Sequence, residues 1–220
     1  MKIHRQSLSE QIRDELLARI GDGKISPGAR VVESAVAREF GVSSIPVREA
    51  IRELVAMGML EYGHHKGCRV REVGLDETIQ ALQVRSALEA LAVRLAGIAA
   101  LRPRLAAMRA AVEQIVASAR ARDFVSFQKA NTVFHRQIVE ASANGILLRM
   151  WRSLAFEVRT RAIMEYLSSA DPVAIAREHG AVADALEAGD LERAASLLAD
   201  HSVHLVEHLR REKESQGPGR

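Results

Sequence analysis

The chain has 220 residues, of which 48% are hydrophobic and 27% charged, with a formal net charge of +3 at pH 7. That length accommodates two modest domains, each with its own core, and no apolar run approaches the roughly 20 residues needed to span a bilayer. A single cysteine, Cys68, excludes an internal disulfide framework, and the small positive charge permits a polyanionic partner without demanding one.

The opening residues Met1-Lys2-Ile3-His4-Arg5-Gln6 lead into a polar, amphipathic stretch rather than an apolar secretory segment, so a cytoplasmic location is expected. From Ser7 to Ile20, Leu8, Ile12, Leu16 and Ile20 recur at spacing four, with Ser7 or Ser9 available as a cap. That predicts an amphipathic helix ended by Gly21-Asp22-Gly23. Ile25-Ser26-Pro27-Gly28 is turn chemistry, and a second helix is expected over 33–40.

Gly41-Val42-Ser43 then breaks the chain before a third helix over 44–57, with Pro46 in its first turn, where a missing amide proton costs nothing. Helix, tight turn, helix is the unit that lays its second helix in the DNA major groove. Val47, Ile51, Leu54 and Val55 form that helix's inward stripe, which turns Arg48 and Arg52 outward. Ser43 and Ser44 sit at its N-terminus, where hydroxyls and backbone amides suit a phosphate. Residues 59–62 and 68–73 read as two strands of a β-hairpin, a wing whose polar tip carries His64, His65 and Lys66. The expected DNA-contacting set is Ser34, Ser43, Ser44, Arg48, Arg52, His64, His65 and Lys66.

From Leu75 onward only helical periodicity remains, with breaks near Pro103, Arg122-Asp123, Asn144-Gly145, Asp171-Pro172 and Gly189-Asp190. Six helices fit between them. The fold class expected is mostly α, an N-terminal winged helix-turn-helix over 1–73 and a C-terminal all-helical bundle over 75–211. The polar tail 212–220 has too little apolar surface to be ordered.

Within the bundle, Asn131 and His135 at i, i+4 share one helix face. His179 and His201 come from two later helices, so three imidazoles and an amide oxygen can enclose one divalent ion. Surface exposure is the simpler reading of His204 and His208. Glu178 precedes His179 and points about 100° away from it on a helix, which leaves no obvious carboxylate base beside the histidines.

Several motifs in the first half together resemble the GntR-type winged helix-turn-helix. They are Pro27-Gly28-Ala29-Arg30, Glu33, Ala37, Gly41-Val42-Ser43, Pro46-Val47-Arg48-Glu49-Ala50-Ile51, Leu54, Gly58-Met59-Leu60 and Gly67. In that family an arginine used in operator contact usually follows the first Ser or Thr of the recognition segment; Ser44 stands there in this chain. The remainder resembles the FCD class of effector domain, through Arg85-Ser86-Ala87-Leu88-Glu89, Asn131-Thr132-Val133-Phe134-His135, Glu178-His179, and Gly189-Asp190 followed by Asp200-His201. With six helices it looks closer to the VanR-like subgroup.

The FCD resemblance implies a metal held by Asn131, His135, His179 and His201, with Asn131 in place of the usual aspartate, and zinc or nickel as the expected ion. A buried metal held by three histidines and a neutral fourth ligand keeps positive charge and open positions, so a carboxylate effector is expected to complete its coordination, with Arg85 and Arg159 as candidate anchors for its other end, though Arg85 and Glu89 at i, i+4 can equally form a helix salt bridge. The expected function is that of a DNA-binding transcription regulator and not an enzyme. It would be a homodimeric repressor on a pseudo-palindromic operator, released or engaged by a small organic acid. A pure metal sensor, or a metal-dependent hydrolase fused to a DNA-binding module, are the alternatives.

Overall fold

The computed structural model describes residues 7–63, 67–154, 156, 159, 160, 163 and 171–216. It divides into two compact units, Met1–Glu72 and Val73–Arg220.

The first unit begins with α1 (Leu8–Gly21). Ser7 caps it by accepting from the Glu10 amide at 3.2 Å, while the Glu10 carboxylate accepts from the Ser7 amide at 2.7 Å, so two otherwise orphaned donors are satisfied reciprocally. Ile12, Leu16 and Ile20 are buried as their spacing predicts, but Leu8 is exposed. Helix α2 (Glu33–Phe40) ends at Gly41, whose φ of 66° suits a residue without Cβ. Helix α3 (Ser44–Ala56) buries Val47, Ala50, Ile51 and Leu54, and each of the larger side chains contributes about 1.5–3 kcal/mol of burial. Ala50 replaces Val55 in the expected inward stripe, since Val55 is only half-buried.

The wing is a sheet of three strands rather than two. β1 (Arg30–Val31), β2 (Leu60–Gly63) and β3 (Gly67–Val70) are antiparallel in the order β1-β3-β2, with Tyr62 opposite Cys68 and Val31 opposite the other edge of the same Cys68. A two-residue strand shows no alternation in sequence, so β1 escapes periodicity analysis. The hairpin tip, His64, His65 and Lys66, lies outside the described residues.

The second unit contains α4 (Leu75–Leu101), α5 (Leu105–Ala121), α6 (Phe124–Ala141), α7 (Gly145–Ser153), α8 (Pro172–Ala188) and α9 (Leu191–Gln216). Phe156, Arg159, Thr160 and Ile163 are also helical. Caps explain the boundaries: Asp123 begins α6, Asn144 begins α7, and Asp171 with Pro172 begins α8, which ends at Gly189 with φ 78°. Within α4, Gly97 leaves the helical region (φ 65°, ψ 169°) and kinks the helix. Helix α4 packs against α6 and α9, and α5 packs against α6 and α8. Their shared core includes Val93, Met108, Ile115, Phe134, Ile138 and Leu186. The last helix continues through Gln216, past the tail start expected at 212. Lys213 is held to Asp76 of α4 at 2.6 Å, an ion pair between helices that composition alone does not reveal.

Candidate metal and effector site

On α6 the buried positions Phe127, Asn131, Phe134, His135 and Ile138 follow the i, i+4, i+7, i+8, i+11 spacing of one face. The apolar members therefore carry Asn131 and His135 into the bundle interior. His179 arrives from the buried face of α8 and His201 from α9. One ligand atom from each of the three histidines lies within 4.8 Å of the others, and Phe134 packs edge-on against His135 and His179.

A second ring of groups orients these imidazoles. His135 donates its Nδ1–H to Glu89 Oε2 at 2.9 Å. His201 donates its Nδ1–H to Glu178 Oε2 at 2.5 Å, and the Nδ1 of His179 faces the Ala176 carbonyl at 3.3 Å. Carboxylates and carbonyls only accept, so each fixes a tautomer with the lone pair on Nε2. The Nε2 atoms of His135 and His179 are then 3.2 Å apart, and Asn131 Oδ1 is 2.9 Å from His179 Nε2. Acceptors facing one another at such distances repel unless a cation stands among them. Two imidazoles on a tetrahedral ion at about 2.0–2.1 Å are separated by roughly 3.3 Å, so the residues present fit a divalent metal.

Burial, reinforced by the Arg85 charge and opposed by Glu89, lowers the His135 pKa to about 4. Burial likewise carries His179 well below its ordinary value. Both rings are neutral at pH 7, the form that binds metal. Burial works against the Glu89 carboxylate, but Arg85 and His135 outweigh it and hold the group below the usual carboxylate range. Burial also opposes the Glu178 carboxylate, and its hydrogen bonds to His201 and His204 outweigh that.

Glu89 is the node of the arrangement. Its Oε1 accepts from Arg85 Nε at 2.7 Å and from Trp151 Nε1 at 2.8 Å. Arg85 lies 4.3 Å from the Phe156 ring centroid, and among the described residues its buried Nη2 has no hydrogen-bond partner. Arg85 also lines a cavity of about 20 Å³ together with Asn131, Thr160, His179, His201 and an apolar wall that includes Leu82 and Phe127. Such a space holds on the order of one water. Arg159 lies elsewhere: it is buried, with Nη2 donating to Glu77 Oε1 at 2.6 Å and Nε to the Leu154 carbonyl at 2.8 Å, and the cavity wall does not include it.

The sequence reading missed Glu89 and Trp151 as partners of the site. It also found no carboxylate beside the histidines, whereas Glu178 meets His201 and, at 2.9 Å, His204. His204 is 55% exposed yet held. The i, i+4 pair Arg85 and Glu89 was the available signal for the first; spacing of Glu178 from α9 has no local signature.

On the first unit, Ser34, Ser43, Ser44, Arg48 and Arg52 are all exposed. Ser43 occupies the N-cap of α3 without a side-chain capping bond, which leaves its hydroxyl available, and Arg48 Nε donates to Glu33 at 3.1 Å.

Among the described residues, no helix is long and apolar enough to cross a membrane. Residues 8–70 match the family described as "Bacterial regulatory proteins, gntR family", and residues 80–204 match the FCD domain. A relative in Paenarthrobacter nicotinovorans, named "Probable D-xylose utilization operon transcriptional repressor", is 39% identical over 91% of this chain and 88% of its own length. The transcriptional regulator McbR of Escherichia coli is 31% identical over 81% of this chain and 80% of its own. The solved structure of E. coli McbR/YncC superposes with a TM-score of 0.76 at 27% identity, covering 94% of this chain and 99% of the other.

Proposed function

The chain belongs to the GntR family of bacterial regulatory proteins and is a DNA-binding transcription regulator with an FCD effector domain, and we propose that it is a repressor whose operator affinity is set by a small carboxylate bound at the histidine cluster. The observation that carries this reading is the buried Nη2 of Arg85, without a partner among the described residues, in the wall shared with Asn131, His179 and His201. A buried guanidinium lacking one partner is costly, and a carboxylate supplies that partner with charge-assisted geometry.

Asn131, His135, His179 and His201 would hold zinc or nickel. When bound, the ion would supply positive charge for one end of the acid. Arg85 binds the acid, Glu89 and Trp151 hold Arg85 in place, and Leu82 and Phe127 exclude water from the cavity. Arg159 is retained as a candidate only on the strength of its unpartnered Nη1.

The regulator acts as a homodimer on a pseudo-palindromic operator, read by the two copies of α3. Support comes from α4, where Val84, Leu88, Leu91 and Leu95 follow one another at spacings of four, three and four, the seam of a helix pair. Val84, Leu91 and Leu95 are exposed on it, as are Ile146 and Met150 of α7. The acid shifts the relative placement of the two DNA-reading units through its differential affinity for the two arrangements.

The smallness of the cavity favours a second reading, in which the ion alone is the effector. The hydrolase reading gains nothing from the relatives, which are regulators. Elemental analysis of the purified protein against a His135→Ala/His179→Ala double variant, followed by operator titration with candidate acids, tests the proposal. Near-stoichiometric metal lost in the variant, with operator affinity moved by an acid, supports it. No metal in the wild type after reconstitution removes the ion from the scheme, and operator control by metal but by no acid favours the second reading.

A further inference from the structure

Helix α3 divides cleanly. Val47, Ala50, Ile51 and Leu54 are buried, while Ser44, Ile45, Arg48, Glu49 and Arg52 are exposed. On that outer face Ile45, Arg48, Glu49 and Arg52 lie at i, i+3, i+4 and i+7, a single stripe along the helix.

Ile45 is out of place there by composition. It is 66% exposed, more than any other large apolar side chain among the described residues, and it stands in the first turn of the recognition helix beside hydroxyls and arginines. Its exposed sec-butyl side chain contributes little to the core of this unit, and its β-branch lowers helix propensity slightly relative to a straight-chain residue.

The N-terminal turn of a recognition helix is the part that meets base edges in the major groove. The apolar group that B-DNA presents there is the C5-methyl of thymine. Ser43 and Ser44, the residues before it, are short, and Ile45 stays 66% exposed, free to meet an apolar group in the groove, while Arg48, one turn along, can reach a phosphate or a guanine edge.

We propose that Ile45 is a specificity-determining residue that reads a thymine by packing on its methyl group, once in each operator half-site. Transfer of one methyl out of water is worth about 0.8 kcal/mol, a factor of about four in affinity. Two half-sites give about 15-fold.

The test uses the full chain and a pool of duplexes with a randomised central segment. Selection is expected to enrich a thymine at a fixed position in each half-site. Replacing that thymine by deoxyuridine, which removes only the methyl, is expected to weaken wild-type binding about fourfold per half-site. The Ile45→Ala variant should bind the thymine duplex as weakly as wild type binds the deoxyuridine duplex, and should show no further loss on deoxyuridine. Ile45→Val should retain most of the methyl sensitivity. Thermal unfolding of the variants should match wild type, since the side chain is exposed. Absence of an enriched thymine overturns the proposal, as does a deoxyuridine penalty equal in wild type and Ile45→Ala. If Ile45→Ala instead lowers dimer stability while keeping methyl discrimination, Ile45 is a protein contact and the proposal fails.

Discussion

Replacing Glu89 with glutamine preserves the size of the side chain and removes its charge, which makes it a stringent probe of the candidate site. Glu89 is 1% exposed and joins three groups: Arg85 and Trp151 on Oε1, His135 on Oε2. In the variant the amide oxygen can still accept on one side, but the amide nitrogen can only donate. Facing the amide, His135 must present an acceptor at Nδ1 and carry its proton on Nε2, the atom that faces His179. Arg85 meanwhile keeps a buried charge without its carboxylate. Breaking a buried ion pair from one side costs about 3–5 kcal/mol, and loss of an outer partner of a metal-ligating histidine lowers metal affinity about 10–100-fold. Differential scanning calorimetry should show the transition of the effector unit falling by roughly 6 °C or more, and competition with a chromophoric chelator should show the weaker metal binding. A midpoint within 2 °C of wild type together with unchanged chelator competition would refute the assignment of Glu89 as the orienting group.

In chelator-treated protein, His135 contributes a pH dependence whose sign follows from its lowered pKa. The unfolded chain, with a histidine near 6.5, takes up a proton before the folded one does at about 4. Stability is therefore full above pH 6.5 and declines as pH falls toward 4, by about 3 kcal/mol; urea midpoints at pH 7, 5.5 and 4.5 that shift equally in wild type and His135→Asn would contradict this. Arg85→Gln is expected to leave metal content unchanged and to weaken the response of operator binding to carboxylates at least tenfold, and an unchanged response in titrations would dissociate Arg85 from the effector. Leu91→Glu with Leu95→Glu should convert the dimer to monomer in sedimentation experiments and lower operator affinity by more than tenfold; a dimer of wild-type stability would place the interface elsewhere.

Local patterns carried most of the fold. Break residues such as Asp123, Asn144 and Gly189 delimit helices because capping is a short-range interaction, and the spacing of Val47, Ile51 and Leu54 gave the inward side of α3. Asn131 and His135 were legible as one face for the same reason. What remained hidden depends on which helices become neighbours. Glu89 and His135 are 46 residues apart, and Trp151 reaches Glu89 across 62; no periodicity within α4 or α6 encodes either pairing. Glu178 shows the limit clearly, since the spacing within α8 says nothing of the helix it meets, which brings it to His201 and His204. Strand β1, two residues long, has no pattern of its own and exists only through its pairing with β3.

The cavity beside Arg85 has a kinetic corollary. On the proposed reading, a space for about one water must widen before it takes an organic acid, so an effector entering by this route would wait on that widening before it binds. Its observed binding rate then rises with concentration only until opening becomes limiting and reaches a plateau thereafter. Above that concentration the regulator's response time is an intrinsic property of the bundle: a rise in metabolite changes the fraction of molecules that switch, while the speed of switching stays constant.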